Sequence, residues 1–358
     1  MTYQNIVITG TGAYIPEVAT PNAHFAEREF YNPDRSLIQS EGAEVISKFQ
    51  NITGIAERRY TEGKLKSSDI AAIAAQAAIA DSGIDPETID QIILAHNFGD
   101  VKEGSVQSDV LPCLASKVKH LLGIKNPRCV AYDILFGCPG WLQGVIQANA
   151  FIRSGQAKNV LVIGSETLSR VIDPHDRDSM IYSDGAGATV LELREEDHQR
   201  GFLSTGALTY ATDEAYYIFW GSGNKPDADP EVGYLKMHGR KIYEFALKEV
   251  PAAMKECLEA SGYGIEKLHK VFIHQANEKM DEAIIQRFYK LHGQRLAPAG
   301  IMPMSIHSLG NSSVATIPTL FHMVRKGKLL EHHIEAGNLV MFASVGAGMH
   351  VNAAAYML

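Results

Sequence analysis

Short β-branched and apolar runs ending in Gly, Ser, Asn or His alternate along the chain with longer stretches rich in Ala and Leu. That alternation predicts an α/β layered fold, in which buried strands are covered by amphipathic helices. The strand-like runs are Gln91–Ala95, Cys129–Leu135, Asn159–Ile163, Ala188–Leu193, Lys270–Ile273, Leu339–Ala343 and Val351–Met357. The N-terminus leads straight into Ile6-Val7-Ile8-Thr9, which reads as a first strand. The longer stretches between these runs give helix candidates at Ser68–Ser82, Pro139–Ser154, Lys241–Ala260 and Glu278–Leu291.

A weak internal repeat connects the two ends of this pattern. An Ala-rich helix, Ser82-Gly83 and the strand leading to His96-Asn97 match a helix, Ser261-Gly262 and the strand leading to His274-Gln275-Ala276-Asn277. The serines precede their histidines by 14 and 13 residues. Asn159-Val160-Leu161-Val162-Ile163-Gly164-Ser165 likewise resembles Asn338-Leu339-Val340-Met341-Phe342-Ala343-Ser344. Helix–loop–strand units look alike in any α/β protein, so the alternative is chance similarity. Duplication predicts two halves, residues 1–195 and 196–358, joined near Glu195–Gly201. No low-complexity linker separates them, so they are expected to share one core.

Composition narrows the function classes. With 33 basic and 41 acidic residues the formal charge is −8, which argues against nucleic-acid binding through a global positive field. Any acidic partner must meet a local basic patch. Cys113, Cys129, Cys138 and Cys257 are too scattered for a disulfide scaffold or CxxC zinc site, and read as thiols in a reducing compartment. The lack of a secretory leader pattern or a long apolar span predicts a cytoplasmic protein with no membrane partner. His332-His333 with Glu331 and Glu335 lacks HExxH order, so no metal is expected there.

Among the cysteines only Cys138 is read at a helix entrance; Cys113 in Leu-Pro-Cys-Leu, Cys129 opening a strand and Cys257 within a helix read as small buried hydrophobes. The strand Cys129–Leu135 runs into Phe136-Gly137-Cys138-Pro139-Gly140-Trp141, and a helix of small and apolar residues follows. At a helix entrance, unpaired N–H groups and the positive helix end favour a thiolate and can cradle the oxyanion of its thioester. A packed thiol beside a turn is the alternative. His274 ends an apolar strand, where a core or capping histidine is ordinary, and Asn311 in Gly310-Asn311-Ser312-Ser313 fits a turn equally well. Val345-Gly346-Ala347-Gly348-Met349 is a further strand-end turn that could converge on the same cleft.

Taken together, these residues resemble β-ketoacyl-acyl-carrier-protein synthase III and its relatives in the thiolase-like superfamily. The resemblance runs nearly end to end. It includes Gly10-Thr11-Gly12-Ala13-Tyr14-Ile15-Pro16, Thr53-Gly54-Ile55-Ala56-Glu57-Arg58-Arg59, Leu122-Gly123-Ile124, the Cys138 turn and Gly164-Ser165-Glu166. Asp173-Pro174-His175-Asp176-Arg177, Ser183-Asp184-Gly185-Ala186-Gly187-Ala188 and the His274, Asn311 and Ala347 motifs follow in the family's order.

The resemblance implies a five-layered α-β-α-β-α fold made of two duplicated halves. It implies that Cys138 accepts an acyl group as a thioester, while His274 and Asn311 bind a malonyl-type thioester, promote its decarboxylation and stabilise the enolate. Backbone amides of Cys138 and Ala347 would form an oxyanion hole, Arg177 would contact a nucleotide, and Leu111 would reach the tunnel of a second subunit in a homodimer. Lys279 and Arg287 match basic positions that dock acyl carrier protein. With Lys290 they are spaced for one helical face, which could also be simply solvated. The partners implied are acyl carrier protein, acyl-CoA or acyl-carrier thioesters and malonyl-type thioesters; no cofactor is implied.

Several residues depart from the family pattern. Lys48 and Ile52 stand where a tryptophan and an arginine usually flank the adenine of coenzyme A. Ala347 and Val345 replace a usual glycine and phenylalanine. A carrier-protein donor, or a relative making dialkylresorcinol- or quinolone-type products or transferring acyl groups to oxygen or nitrogen, is the competing expectation. A non-enzymatic subunit of a heterodimeric synthase is disfavoured by the intact Cys138, His274 and Asn311.

Overall fold

The computed structural model describes residues 2–358. Strands β1 (Tyr3–Tyr14), β2 (Gln91–His96), β3 (Val130–Leu135), β4 (Asn159–Thr167) and β5 (Asp184–Glu196) form one sheet in the order β1-β5-β4-β2-β3. Strands β6 (Gly201–Thr209), β7 (Leu268–Ile273), β8 (Leu339–Gly346) and β9 (His350–Met357) form a second, in the order β6-β9-β8-β7. The two orders superpose term by term: β1, β5, β4 and β2 correspond to β6, β9, β8 and β7. Pairing directions match too, since β4 and β2 run parallel, as do β8 and β7, while the remaining equivalent pairs are antiparallel.

Helices complete the five layers. The main ones are α1 (Gly42–Thr53), α2 (Ser67–Ser82), α3 (Leu114–Leu121), α4 (Gly140–Arg153), α5 (Gly239–Ala260), α6 (Glu278–Leu291) and α7 (Thr316–Arg325). One outer layer, α2 with α3, covers the first sheet; the other, α5 with α6, covers the second. Between the sheets lie α4 and α7. Their central core joins Trp141 and Leu142 to Ile317, Leu320 and Phe321, together with Phe342 and Tyr356 of the second sheet. The middle helices cross the duplication: α7, late in the chain, packs on β5 and β1, and α4, early in the chain, touches β6 and β9.

The differences from the sequence pattern have local causes. Strand β5 begins four residues before its β-branched run because Gly185 and Gly187 interrupt the apolar signal. A Cβ on Gly187 would lie 2.7 Å from Pro318 Cγ, so the close seating of α7 requires that glycine. Helix α7 is buried on nearly every side although Thr316, Thr319, His322 and Arg325 form a polar stripe along it, and it carries Pro318 in its first turn. A smaller cluster around Phe25, Phe30, Val45, Phe49 and Ile181 caps the end of the first sheet. There Arg58 is wholly buried, donating to the carbonyls of Met180 and Thr20 and to Asn22 Oδ1, with its guanidinium 4.7 Å from the Phe25 ring centroid.

Among the described residues no helix is long and apolar enough to cross a membrane.

Candidate active site

The C-terminal ends of β2, β3 and β4 lie side by side, because Ala95 pairs with Gly164 and His96 with Leu135. Cys138 follows β3 directly, and α4 begins two residues later at Gly140, with Pro139 at its N-cap. From the other sheet, β8 ends at Gly346 and the Gly346–Ala347 turn presses against the cysteine turn. A Cβ on Gly346 would lie 2.5 Å from Cys138 N, and one on Gly137 would lie 2.5 Å from Ala347 N. Two glycines therefore permit the approach of the two backbones whose amides are the candidate oxyanion donors. Gly346→Ala is expected to push these turns apart and slow acylation roughly 10²-fold, the scale of a 1 Å misplacement. Single-turnover kinetics beside thermal denaturation would separate this loss from unfolding.

Asn311 lies at the same junction. Its N–H donates to Ile181 O and its Oδ1 accepts from Ser313 N, at 2.9 and 2.8 Å. With the oxygen so occupied, the carboxamide is oriented to offer its Nδ2 hydrogens. The Ser313 hydroxyl in turn donates to Cys138 Sγ at 3.3 Å. This serine is a buried residue in left-handed backbone, with φ 52°.

His274 follows β7 and donates its N–H to Ala343 O at 2.9 Å, which places it at the same sheet end as the Gly346 turn. Its imidazole is buried, which drives its pKa down to about 3 and leaves the ring neutral. Nδ1 is enclosed without a hydrogen-bond partner. A buried orphan N–H is rarer than an under-satisfied acceptor, which favours the tautomer with hydrogen on Nε2. The neighbouring residues position this one: Gln275 bridges Pro303 O and Ser305 N, and Asn277 caps α6 by accepting from Met280 N.

Burial pushes the Cys138 thiol up to about 11; Ser313 acts to lower it and the charge of Glu166 to raise it. The free thiol is therefore held protonated, in contrast to the thiolate expected from the helix entrance alone. A second correction concerns Cys113, which also stands at a helix start, as the N-cap of α3. There the first amides of α3, on Leu114 and Ala115, already donate to the Asp133 carboxylate at 2.7 Å each. Cys113 Sγ lies 3.1 Å from Ser116 Oγ. The helix end at Cys113 is thus already neutralised. Cys129 and Cys257 are buried.

A cavity of about 470 Å³ opens beside the site, lined by residues that include Lys48, Phe49, Ile52, Arg177, Ile181 and Tyr243. Ala276 and Asn277, just after His274-Gln275, also line it. Lys48, Ile52 and Arg177 thus line one cavity, together with Tyr243 and its neighbour Arg240 on α5, which were not foreseen. The segment bearing Arg177 is braced from behind. Lys236 Nζ, buried in the hairpin Ile218–Ser222/Gly233–Met237, meets Asp173 at 2.5 Å, Asp176 at 3.0 Å and Asn224 at 2.8 Å.

Lys279, Arg287 and Lys290 are exposed on α6. Leu111 is 87% exposed, outside the cavity and far more open than most apolar side chains here. Sequence reasoning assigned no role to Asn97, Glu166 or Ser313, although all three occur in motifs it singled out. The available signal was position: Asn97 directly follows β2, beside the strand that delivers Cys138.

Comparison with known proteins places this arrangement. Residues 132–210 match the model described as 3-oxoacyl-[acyl-carrier-protein (ACP)] synthase III, and residues 258–358 match the model of its C-terminal part. The β-ketoacyl-[acyl-carrier-protein] synthase III of Bradyrhizobium diazoefficiens is 31% identical over 97% of each chain. Solved structures of the synthase III from Thermus thermophilus (28% identical, TM-score 0.79, covering 98% of this chain and 99% of that one) and Aquifex aeolicus VF5 (27%, 0.76, covering 99% and 100%) have the same fold.

Proposed function

The chain belongs to the 3-oxoacyl-[acyl-carrier-protein] synthase III family of condensing acyltransferases, and from that premise we propose that it joins an acyl group on Cys138 to a malonyl-type carrier thioester, as in fatty-acid initiation. The observation that carries the proposal is the meeting of the Cys138 turn, the Gly346–Ala347 turn and Asn311 at sheet ends that also present His274. Cys138 sulfur attacks the donor thioester, and its proton leaves with the departing carrier thiol. The Cys138 and Ala347 amides receive the oxyanion of this step and of the later attack on the acyl-cysteine. Neutral His274 and the Asn311 amide donate to the malonyl thioester carbonyl as CO2 departs and an enolate forms. Neither adds a negative charge to compete with that enolate.

The family and the basic positions on α6 support acyl carrier protein as a partner, through Lys279 and Arg287. We infer that a second copy of the chain assembles at β3, an edge strand that pairs only with β2 among the described residues and leaves Val130 and Leu135 exposed. Leu111 would then extend toward the other subunit's tunnel. Arg177, at the cavity wall, is assigned to the donor's nucleotide or phosphopantetheine. We divide the chain between residues 195 and 196, at the end of β5 and just before its connection to β6.

Intact-mass measurement after incubation with matched acyl-CoA and acyl-carrier thioesters tests this reading, with the acylated peptide mapped to its cysteine. Failure of every thioester to acylate the protein would overturn it. Acyl-carrier donors are expected to react faster than acyl-CoA at low salt, because Lys48 and Ile52 supply no planar sandwich for adenine. Tyr243, with Arg177 and Arg240, would leave a weaker nucleotide site. Reversing both charges in Lys279→Glu/Arg287→Glu should slow carrier-dependent acylation about tenfold and blunt its salt dependence. Acyl-CoA rates should stay nearly constant in that variant. Equal losses with both donors would remove the docking assignment.

A further inference from the structure

Behind Cys138 runs a chain of polar groups, with Glu166 and Ser313 buried and Asn97 half-buried between them, that the condensation mechanism above leaves unused. Glu166 on β4 accepts from Asn97 N at 2.9 Å and also from Asn97 Nδ2. Asn97 Nδ2 donates in addition to Ser313 Oγ at 3.0 Å, and Ser313 Oγ to Cys138 Sγ at 3.3 Å. The direction is fixed by inventory. A carboxamide nitrogen has two hydrogens; one goes to Glu166 and the other to Ser313. The serine oxygen is therefore an acceptor from Asn97, and its single hydrogen is left for the sulfur.

Resting on the assignment of Cys138 as acyl acceptor, we propose that Ser313 is a catalytic residue that donates a hydrogen bond to the Cys138 sulfur, with Asn97 and Glu166 as positioning residues that hold it in that sense. Two further features fit this role. Ser313 keeps its place despite left-handed backbone, a conformation unfavourable for a residue with a side chain. Burial also pushes the Glu166 carboxyl up to about 8, so near neutrality it is mainly uncharged and opposes a nearby thiolate little while its oxygen still accepts from Asn97.

The bond matters at two moments. During acylation the S–H bond breaks as the C–S bond forms, and Ser313 stabilises negative charge on sulfur. During condensation the enolate carbon left by CO2 bonds to the acyl carbon. The C–S bond then breaks with its electron pair on sulfur, and the Ser313 hydroxyl meets the departing thiolate. That thiolate is reprotonated from solvent. Where Glu166 is ionised, above about pH 8, its charge opposes the Cys138 thiolate, and the cysteine in turn acts on Tyr182, so these groups are the titratable neighbours to follow.

The test is the pH profile of Cys138 alkylation by iodoacetamide, read by peptide mass in the full-length protein, alongside single-turnover acylation and condensation. Ser313→Ala is expected to shift the thiol titration up by about one unit, making alkylation at fixed pH below it about tenfold slower. Condensation should slow by a similar factor. Asn97→Ala should shift the profile the same way, and Glu166→Gln, which keeps an acceptor oxygen, should lose less than Glu166→Ala. A merely structural network would lower the melting temperature without moving the titration. A wild-type profile in folded Ser313→Ala, with acylation still mapped to Cys138, overturns this inference and leaves the condensing assignment standing. Acylation mapped to another cysteine instead overturns both.

Discussion

Replacing Cys138 with alanine is expected to abolish both the acyl-enzyme mass increment and condensation, a loss on the order of 10⁶, the scale for deleting a covalent nucleophile. Cys113→Ala, Cys129→Ala and Cys257→Ala should each still become acylated. The contrast rests on what surrounds each sulfur. Cys129 and Cys257 are buried, and neither adjoins the converging turns. Cys113 shares a helix start with Cys138, but the Asp133 carboxylate already occupies the α3 amides that would stabilise a thiolate or an oxyanion. An acyl increment persisting on Cys138→Ala would show that another residue is the acceptor.

The second large effect separates the half-reactions. His274→Ala and Asn311→Ala should each leave acylation of Cys138 within a few-fold of wild type and slow malonyl decarboxylation by about 10²–10³, the cost of losing one preorganised donor. Because burial holds the His274 pKa near 3, well below the ordinary histidine value, the imidazole is already neutral at pH 5. The decarboxylation rate should therefore show no rise through pH 6–7 from this group. Stopped-flow release of CO2 from a pre-acylated enzyme measures the step directly. Normal decarboxylation in both variants would remove the enolate-stabilising role from these residues, while a His274-dependent inflection near pH 6.5 would show a ring far more solvated than its enclosure implies.

Much of the fold was legible because strands buried on both faces and amphipathic helices carry strong periodic signals. Glu278–Leu291 is a helix over the range that its pattern predicts, and the paired serine–glycine–strand segments fall on β2 and β7, which occupy equivalent places in the two sheets. Helix α7 was missed although Thr316, Thr319, His322 and Arg325 form a polar stripe along it, because it is only ten residues long and Pro318 stands within it. Cys138 stood out because strand, glycine, cysteine, proline and glycine are contiguous. The residues behind it did not, since Asn97, Glu166 and Ser313 meet only when two neighbouring strand ends and a distant turn converge. Cys113 was misjudged because the eight-residue α3 is too short to announce itself, and its neutralising Asp133 lies on another strand.

The placement of α7 between the sheets bears on synthesis of the protein. When the first sheet's strands have all emerged from the ribosome, its inner face still lacks the helix formed by residues 316–325, which covers β5 and β1. More than a hundred further residues must be added before that cover arrives, about 10 s at usual elongation rates of roughly 5–20 residues per second. During that interval the nascent chain presents Ile6, Ile8 and Leu191 with part of their packing missing. Truncation before residue 316 is therefore expected to yield an aggregation-prone fragment rather than an independently folded half, and chaperone demand should fall sharply once α7 can dock.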